Sequence, residues 1–225
     1  MASSGTYTFS LSFDKLIEEA SKLAGGEPIT GGDLSSARNA LDLLFIDMQN
    51  RGILAHTLDM AELSLTASTT VYDLSSNVVD VIDAVVRISS RDYDITRIGF
   101  GDYIDIPLKG QTGRPTQFFI DRKVDGPDLY VWPVPTSLTA GTFIYWRVRD
   151  IQDAGKISNT PDLPRRYYPS LLWGLAFYMA STRGHEISTE RLTLLKLEYE
   201  KNLQLAFEAD GEKVPLRIVP RIRRR

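Results

Sequence analysis

Apolar residues recur along this chain with two different periods, and the change of period marks its organisation. Phe13, Leu16, Ile17, Ala20 and Leu23 fall three and four apart, the spacing of one helix face. Gly25-Gly26 ends that run. A second helix is predicted from about Asp33, with Leu34, Ala37, Leu41, Leu44, Phe45 and Met48 on one stripe and Gly52 as its stop. The two are expected to form a hairpin.

After Arg51 the period falls toward two. Leu63-Ser-Leu-Thr and Thr70-Val-Tyr-Asp-Leu read as short strands, and Val78 to Ile88 as one long strand or a strand pair. Tyr93 to Ile106 fits neither pattern clearly, and Gly99-Phe-Gly101 reads as a bend. Thr116 to Ile120, Leu129 to Val134 and Thr142 to Val148 are strand-like, punctuated by Gly126-Pro127 and Ala140-Gly141. Pro133 and Pro135 give the end of the middle strand the character of a sheet edge, because proline cannot donate to a ladder.

Helical spacing returns after Thr160. Pro164 suits a first helical turn, and Tyr168, Leu171, Leu172, Leu175, Ala176 and Met179 make a helix buried on most sides, stopped at Gly184. A last helix opens at Thr189-Glu190. Leu192, Leu195, Tyr199, Leu203 and Ala206 form its apolar stripe, and Glu190, Lys196, Glu198, Lys201 and Glu208 its charged face. No internal repeat is present. The predicted class is α+β: a helical bundle made by the N- and C-terminal helices, a β-rich inserted region and an extended C-terminal tail. The expected divisions are a flexible N-terminus (1–11), a bundle domain (12–58 with 160–210), a β-rich domain (59–159) and a basic tail (211–225).

With 225 residues, 43% of them hydrophobic and 24% charged, the composition is that of an ordinary globular chain. No apolar run approaches the length of a bilayer span, so no membrane anchor is expected. Met1 to Tyr7 has neither the basic nor the apolar region of a secretory signal. The chain has no cysteine, which excludes disulfides, thiolate metal sites and cysteine nucleophiles. The net charge of −3 hides an asymmetry. Lys213, Arg217, Arg221, Arg223, Arg224 and Arg225 follow Glu212 with no acid among them, leaving the rest of the chain at about −9.

Residues for chemistry are few. His56 and His185 are the only histidines, and neither has a partner at metal-ligand spacing. The pairs Asp80/Asp83, Asp92/Asp94 and Asp102/Asp105 flank strands and turns, where aspartate is favoured for local hydrogen bonding. Glycine-rich phosphate loops and the nucleophile-elbow motif are absent. No cofactor or metal is expected. Tyr130, Trp132, Phe143, Tyr145 and Trp146, interleaved with Arg147 and Arg149, have the composition of a base-stacking platform. The simpler reading is a sheet core with solvated arginines, since strand alternation puts Tyr145 and Arg147 on one face and Ile144, Trp146 and Val148 on the other.

The basic tail is the strongest functional candidate. Three readings stand: a docking peptide, a disordered end, or a DNA-binding arm. Val214, Ile218, Val219 and Ile222 favour docking, because an extended peptide in a groove uses alternate apolar anchors with charges between them. Arg217, Arg221, Arg223, Arg224 and Arg225 would supply those charges, and Pro215 and Pro220 reduce the freedom lost on binding.

Several segments together resemble the head-to-tail adaptors of short-tailed bacteriophages. Arg51-Gly-Ile-Leu, Thr70-Val-Tyr-Asp-Leu and Val78-Val-Asp-Val-Ile-Asp-Ala-Val-Val-Arg resemble the first part of that family. Gly113-Arg-Pro-Thr-Gln-Phe-Phe-Ile-Asp-Arg and Leu129-Tyr-Val-Trp-Pro-Val-Pro resemble its middle. Leu163-Pro-Arg-Arg-Tyr-Tyr-Pro-Ser-Leu-Leu-Trp-Gly-Leu-Ala and Leu195-Lys-Leu-Glu-Tyr-Glu resemble its helical end. The resemblance implies a non-enzymatic virion protein at the head–tail junction, made in the host cytoplasm. It implies a homo-oligomeric ring of twelve copies under the portal protein, a DNA channel passed without sequence-specific binding, and docking to the tail nozzle and tail fibres. It also assigns portal binding to the tail, from Val214 to Arg225. An acidic body suits a conduit, because a basic lumen would hold DNA by counterion release. Two other readings are a cell-wall hydrolase using paired acids such as Glu18 and Asp47, and a DNA-binding protein acting through the tail arginines.

Overall fold

The computed structural model describes residues 9–26, 31–52, 55–182 and 187–211. They divide into two compact units, one from residues 1–37 and 164–225, the other from residues 38–163. The dividing point at residue 37 falls inside a helix, whereas the sequence reading drew its line after residue 58.

The first unit is helical. α1 (Phe13–Leu23) buries Phe13, Leu16, Ile17 and Ala20, the stripe that its spacing predicts. Asp14 in the first turn and Lys22 in the last oppose the partial charges of the helix ends. α2 (Gly31–Asn50) starts in this unit and runs into the other. A short 3-10 turn at Arg165–Tyr167, entered from Pro164, leads into α4 (Tyr168–Thr182), and Ser188 caps α5 (Thr189–Asp210) by accepting from the Arg191 N–H at 3.3 Å. α4 buries Gly174, Ala176 and Ala180 beside Leu171, Leu175 and Met179, and these small residues let it pack closely against both α1 and α5. The packing partner of α1 is thus α4, and the hairpin expected with α2 is not its principal contact. Two polar links tie the unit. The Arg191 guanidinium donates to the Leu23 carbonyl at 2.6 and 3.2 Å, satisfying the end of α1. The Asp210 carboxylate, at the end of α5, accepts from the fully buried Tyr167 hydroxyl at 3.0 Å and from Arg166.

The second unit is built on two four-stranded sheets. Their strands are β1 (Leu58–Ser64), β2 (Val71–Asp73), β3 (Val78–Ile88), β4 (Arg91–Asp94), β5 (Thr96–Arg97), β6 (Gln117–Asp121), β7 (Asp128–Trp132) and β8 (Thr142–Arg149). The orders are β1-β8-β3-β4 and β2-β7-β6-β5, antiparallel except for the β5–β6 pair. Val78, Val81, Ala84, Val86, Phe143 and Tyr145 of the first sheet share one core with Tyr72, Phe118, Ile120, Leu129 and Val131 of the second. Val78 to Ile88 is one strand. It bulges against β8 at Val78/Asp80 and again at Val81/Asp83, and at each bulge an aspartate accepts the next residue's N–H, Val81 to Asp80 at 2.9 Å and Ala84 to Asp83 at 2.8 Å.

Two expectations are corrected here. β7 lies inside its sheet, between β2 and β6. Pro133 and Pro135 fall beyond its last residue, so they end the strand and do not make it an edge. Gly99 is no mere bend: it precedes a short helix, α3 (Phe100–Asp105), which lays Phe100 and Tyr103 on the outer face of the second sheet, 5.9 and 5.4 Å from Phe119 between ring centres. The second half of α2 belongs to this unit through Asp42, which accepts the Ala154 N–H at 2.9 Å, and Gln49, which donates to Asp150 at 2.9 Å.

Gly141 opens β8 where the chain returns against the end of β3. A Cβ there would lie 2.2 Å from the Arg87 carbonyl oxygen and 2.9 Å from Ile88 Cγ1. The obstacle is backbone, which cannot rotate away. Gly141→Ala is therefore expected to destabilise the protein by about 1–3 kcal/mol, the range for overpacking, read as a lower urea midpoint. An unchanged midpoint would show that the two strand ends separate freely.

Candidate interaction surfaces

Most of the carboxylates that the sequence offers for catalysis are held by cations or backbone. Glu18 pairs with Lys22 at 2.9 Å on α1, and Asp47 with Arg51 at 3.0 Å on α2. Asp92 takes the Arg87 guanidinium at 2.6 and 2.9 Å. Asp102 accepts the Gly99 N–H at 3.3 Å. His56 places Nε2 3.1 Å from the Asp162 carbonyl oxygen, and His185 lies outside the described residues. Among the described residues no group of three or more His, Cys, Asp or Glu is placed to hold a metal.

The strand arginines are not solvated as the alternation suggested. Arg147 binds Asp59 across the β1–β8 pair at 2.6 and 3.2 Å, and Arg149 binds Asp162 at 2.5 and 3.1 Å. Asp59 with Asp162 therefore occupies the guanidinium groups that a base-stacking platform would have needed. Of the interleaved aromatics, Phe143 and Tyr145 point into the core, while Trp146 stands half-exposed opposite Met60.

Asp80 is a heavily used carboxylate. It accepts from Arg97 at 2.8 and 3.2 Å, from Arg122 at 2.7 Å and from the Val81 N–H. Arg97 also donates to the Val81 carbonyl at 2.6 Å. Partial burial alone would raise its pKa. The bonds from Arg97 and Val81 and the charges of Arg97 and Arg122 outweigh that, so the group sits below its ordinary 3.8. Asp162 behaves alike: burial raises it, and Arg149 with the Gln152 N–H brings it below the ordinary value.

What the surface does offer is apolar area on regular elements. α2 exposes Leu43 and Ile46; the outer face of the first sheet exposes Leu58, Met60, Ile82 and Trp146; α3 and its exit expose Phe100, Ile104 and Leu108; and α5 exposes Leu194, Leu197 and Leu205. The α5 leucines correct the sequence reading, which gave that face to charge alone. A cleft of about 650 Å³ lies between α2 and the chain after β8, lined by Phe45, Ile46, Asp42, Gln49, Asn77 and Asp150 among others. Apolar side chains that join into a contiguous patch, rather than standing singly, mark a protein-binding surface. The expected portal-binding residues, Val214, Arg217, Ile218, Val219, Arg221, Ile222, Arg223, Arg224 and Arg225, lie outside the described residues.

Comparison with known families decides the class. Residues 12–219 match the SU10 adaptor protein family. The chain belongs to that family. It is a phage adaptor, a structural protein of the head–tail junction, and association with portal and tail components goes with that membership. The match runs through both structural units and into the basic tail. No curated protein is similar enough to the chain to count as a relative. No helix among the described residues is long and apolar enough to cross a membrane.

Asp80 and Asp162, two of the adaptor's ion-paired aspartates, give its stability a direction in pH. A carboxyl whose folded pKa is depressed stabilises the fold above its unfolded pKa, and that contribution is lost as pH falls through the folded value. Stability is therefore expected to be flat near neutrality and to fall below about pH 4. Asp80→Asn should remove about 1.5–3 kcal/mol at neutral pH, the scale for hydrogen bonds to charged groups, and flatten part of the acid decline in melting temperature. An Asp80→Asn protein with the parent's pH profile would contradict this.

Proposed function

We propose that this adaptor forms a closed ring beneath the portal, extends the DNA channel and presents the docking surface for the tail nozzle and tail fibres. The family match across residues 12–219 carries this reading. Within a cyclic ring each subunit uses two unlike surfaces, and the rotation between copies fixes their number, twelve by resemblance. Apolar residues exposed on α2, α3, α5 and the first sheet supply area for such contacts.

Portal binding falls to Val214–Arg225 in this reading. Val214, Ile218, Val219 and Ile222 serve as anchors and the arginines as their charged partners. The segment starts next to a fixed point, because Tyr167 and Arg166 hold Asp210 at the end of α5. Double-stranded DNA passes through the ring without sequence-specific binding. In support, Arg87, Arg97, Arg122, Arg147 and Arg149 are all engaged by carboxylates. Such pairs release few counterions from DNA and so hold it weakly.

Mass photometry of the adaptor with purified portal tests the proposal. Full-length chain is expected to join the portal as about a dozen copies, and a chain lacking residues 213–225 to stay free. Portal that ignores the full-length chain would overturn the ring reading; binding that survives the deletion would remove the tail's role.

A further inference from the structure

The outer face of the second sheet carries a run of adjoining rings. Val71, Tyr130 and Phe119 stand side by side on β2, β7 and β6. α3 lies across them: Tyr103 is 5.4 Å from Phe119 and 5.3 Å from Tyr130 between ring centres, and Phe100 is 5.9 Å from Phe119. The patch continues through Trp132, whose indole N–H donates to the Leu108 carbonyl at 3.1 Å. Phe100 is 66% exposed, Ile104 52% and Leu108 63%. This is one apolar patch with a polar border, the form that marks a protein-binding surface.

The border is acidic. Asp73, Asp128 and Asp121 are direct neighbours across β2, β7 and β6, next to Val71, Tyr130 and Phe119 on the same face. Like charges opposite one another on adjacent strands repel. Lys123 binds Asp128 and lies 4.0 Å from Asp121, one cation for a row of three acids. Asp73, exposed on the edge strand, has no ion-pair partner among the described residues. α3 adds Asp102 and Asp105, both exposed, and Asp102 takes only the Gly99 N–H. Against these five acids the face sets Lys123 and Lys109, and Lys109 is occupied by the Tyr103 ring and by the Ile104 and Ile106 carbonyls. At the rim Arg97 and Arg122 share Asp80, and Arg114 lies over the Tyr93 ring of the other sheet.

We propose that this face takes a cationic segment of the tail protein that follows the adaptor, with a lysine or arginine against Asp73 and an apolar or guanidinium group on the exposed Phe100 ring. The contact rests on the docking role proposed above and names its surface and the chemistry of its partner. Both features of the face select a cation. The carboxylates do so by charge, and the ring faces by their quadrupole, with arginine able to stack on them as well. Two copies meeting through this face would set acid against acid, so the patch does not pair like with like.

Asp73→Lys and Phe100→Ala test the contact. Both positions are exposed, so folding should survive, and urea midpoints check that it does. Portal is loaded with parent or variant chain, the bound copies are counted by mass photometry, and purified nozzle protein is titrated onto each complex at low and high salt. The expected result is a full complement on portal for every chain, with nozzle binding weakened about tenfold or more by each substitution, as at an interface hot spot. Parent binding should fall with salt, and Asp73→Lys binding less steeply. Nozzle binding at the parent's affinity in either variant would overturn the inference and leave the docking role standing. Loss of copies from portal in Phe100→Ala would assign the face to the ring contact and overturn it too. Parent complexes that take no nozzle protein would remove the docking role and this contact together.

Discussion

Phe118 of one sheet meets Phe143 of the other edge to face, 5.4 Å apart between ring centres, and the strand-rich unit is arranged around that meeting. Both rings are buried in one cluster with core residues from both sheets. Two local features keep the sheets in place around this contact. At one rim Asp80, on the first sheet, grips Arg97 of the second and Arg122 just beyond it. At the other, Gly141 lets β8 start within touching distance of the Arg87 backbone. Apolar burial supplies the attraction, and the charged bonds fix which residues face one another.

The same charge pairing shapes the adaptor's surface. Arg97, Arg147 and Arg149, on the strands, and Arg122, just beyond one, are matched to aspartates, and the sequence after Glu212 carries six cations and no acid. Apolar side chains on the outer faces of α2, α3 and α5 then dominate what another protein can grip. The proposed function divides the labour between a body that associates through apolar surface and a basic segment that docks in a separate groove. This is the logic of a subunit whose chemistry is assembly.

Much of the fold was legible because its elements are strongly periodic. Phe13 to Leu23 carries its burial in its spacing, and Val78 to Ile88 and Thr142 to Val148 carry their strand character in their β-branched and aromatic residues. The bulges at Asp80 and Asp83 were not legible, because an aspartate that bonds the next N–H in a strand looks like any acid near a turn. The position of β7 was missed because Pro133 was counted within the strand that it terminates. Arg147 and Arg149 read as solvated because their partners, Asp59 and Asp162, are matched to them only by strand pairing and loop return. The α5 row was visible as Leu194, Leu197 and Leu205, but charged neighbours at Lys196, Glu198 and Lys201 masked it. The family was legible from the order of several weak motifs, none specific alone.

Electron cryomicroscopy of the assembled phage particle tests the central claim most directly. If this chain is an adaptor that works by ring assembly, a closed ring of its two-unit fold should lie between portal and tail, with DNA on the axis. Density for the fold elsewhere in the particle, or single copies at the junction without neighbouring contacts, would contradict it.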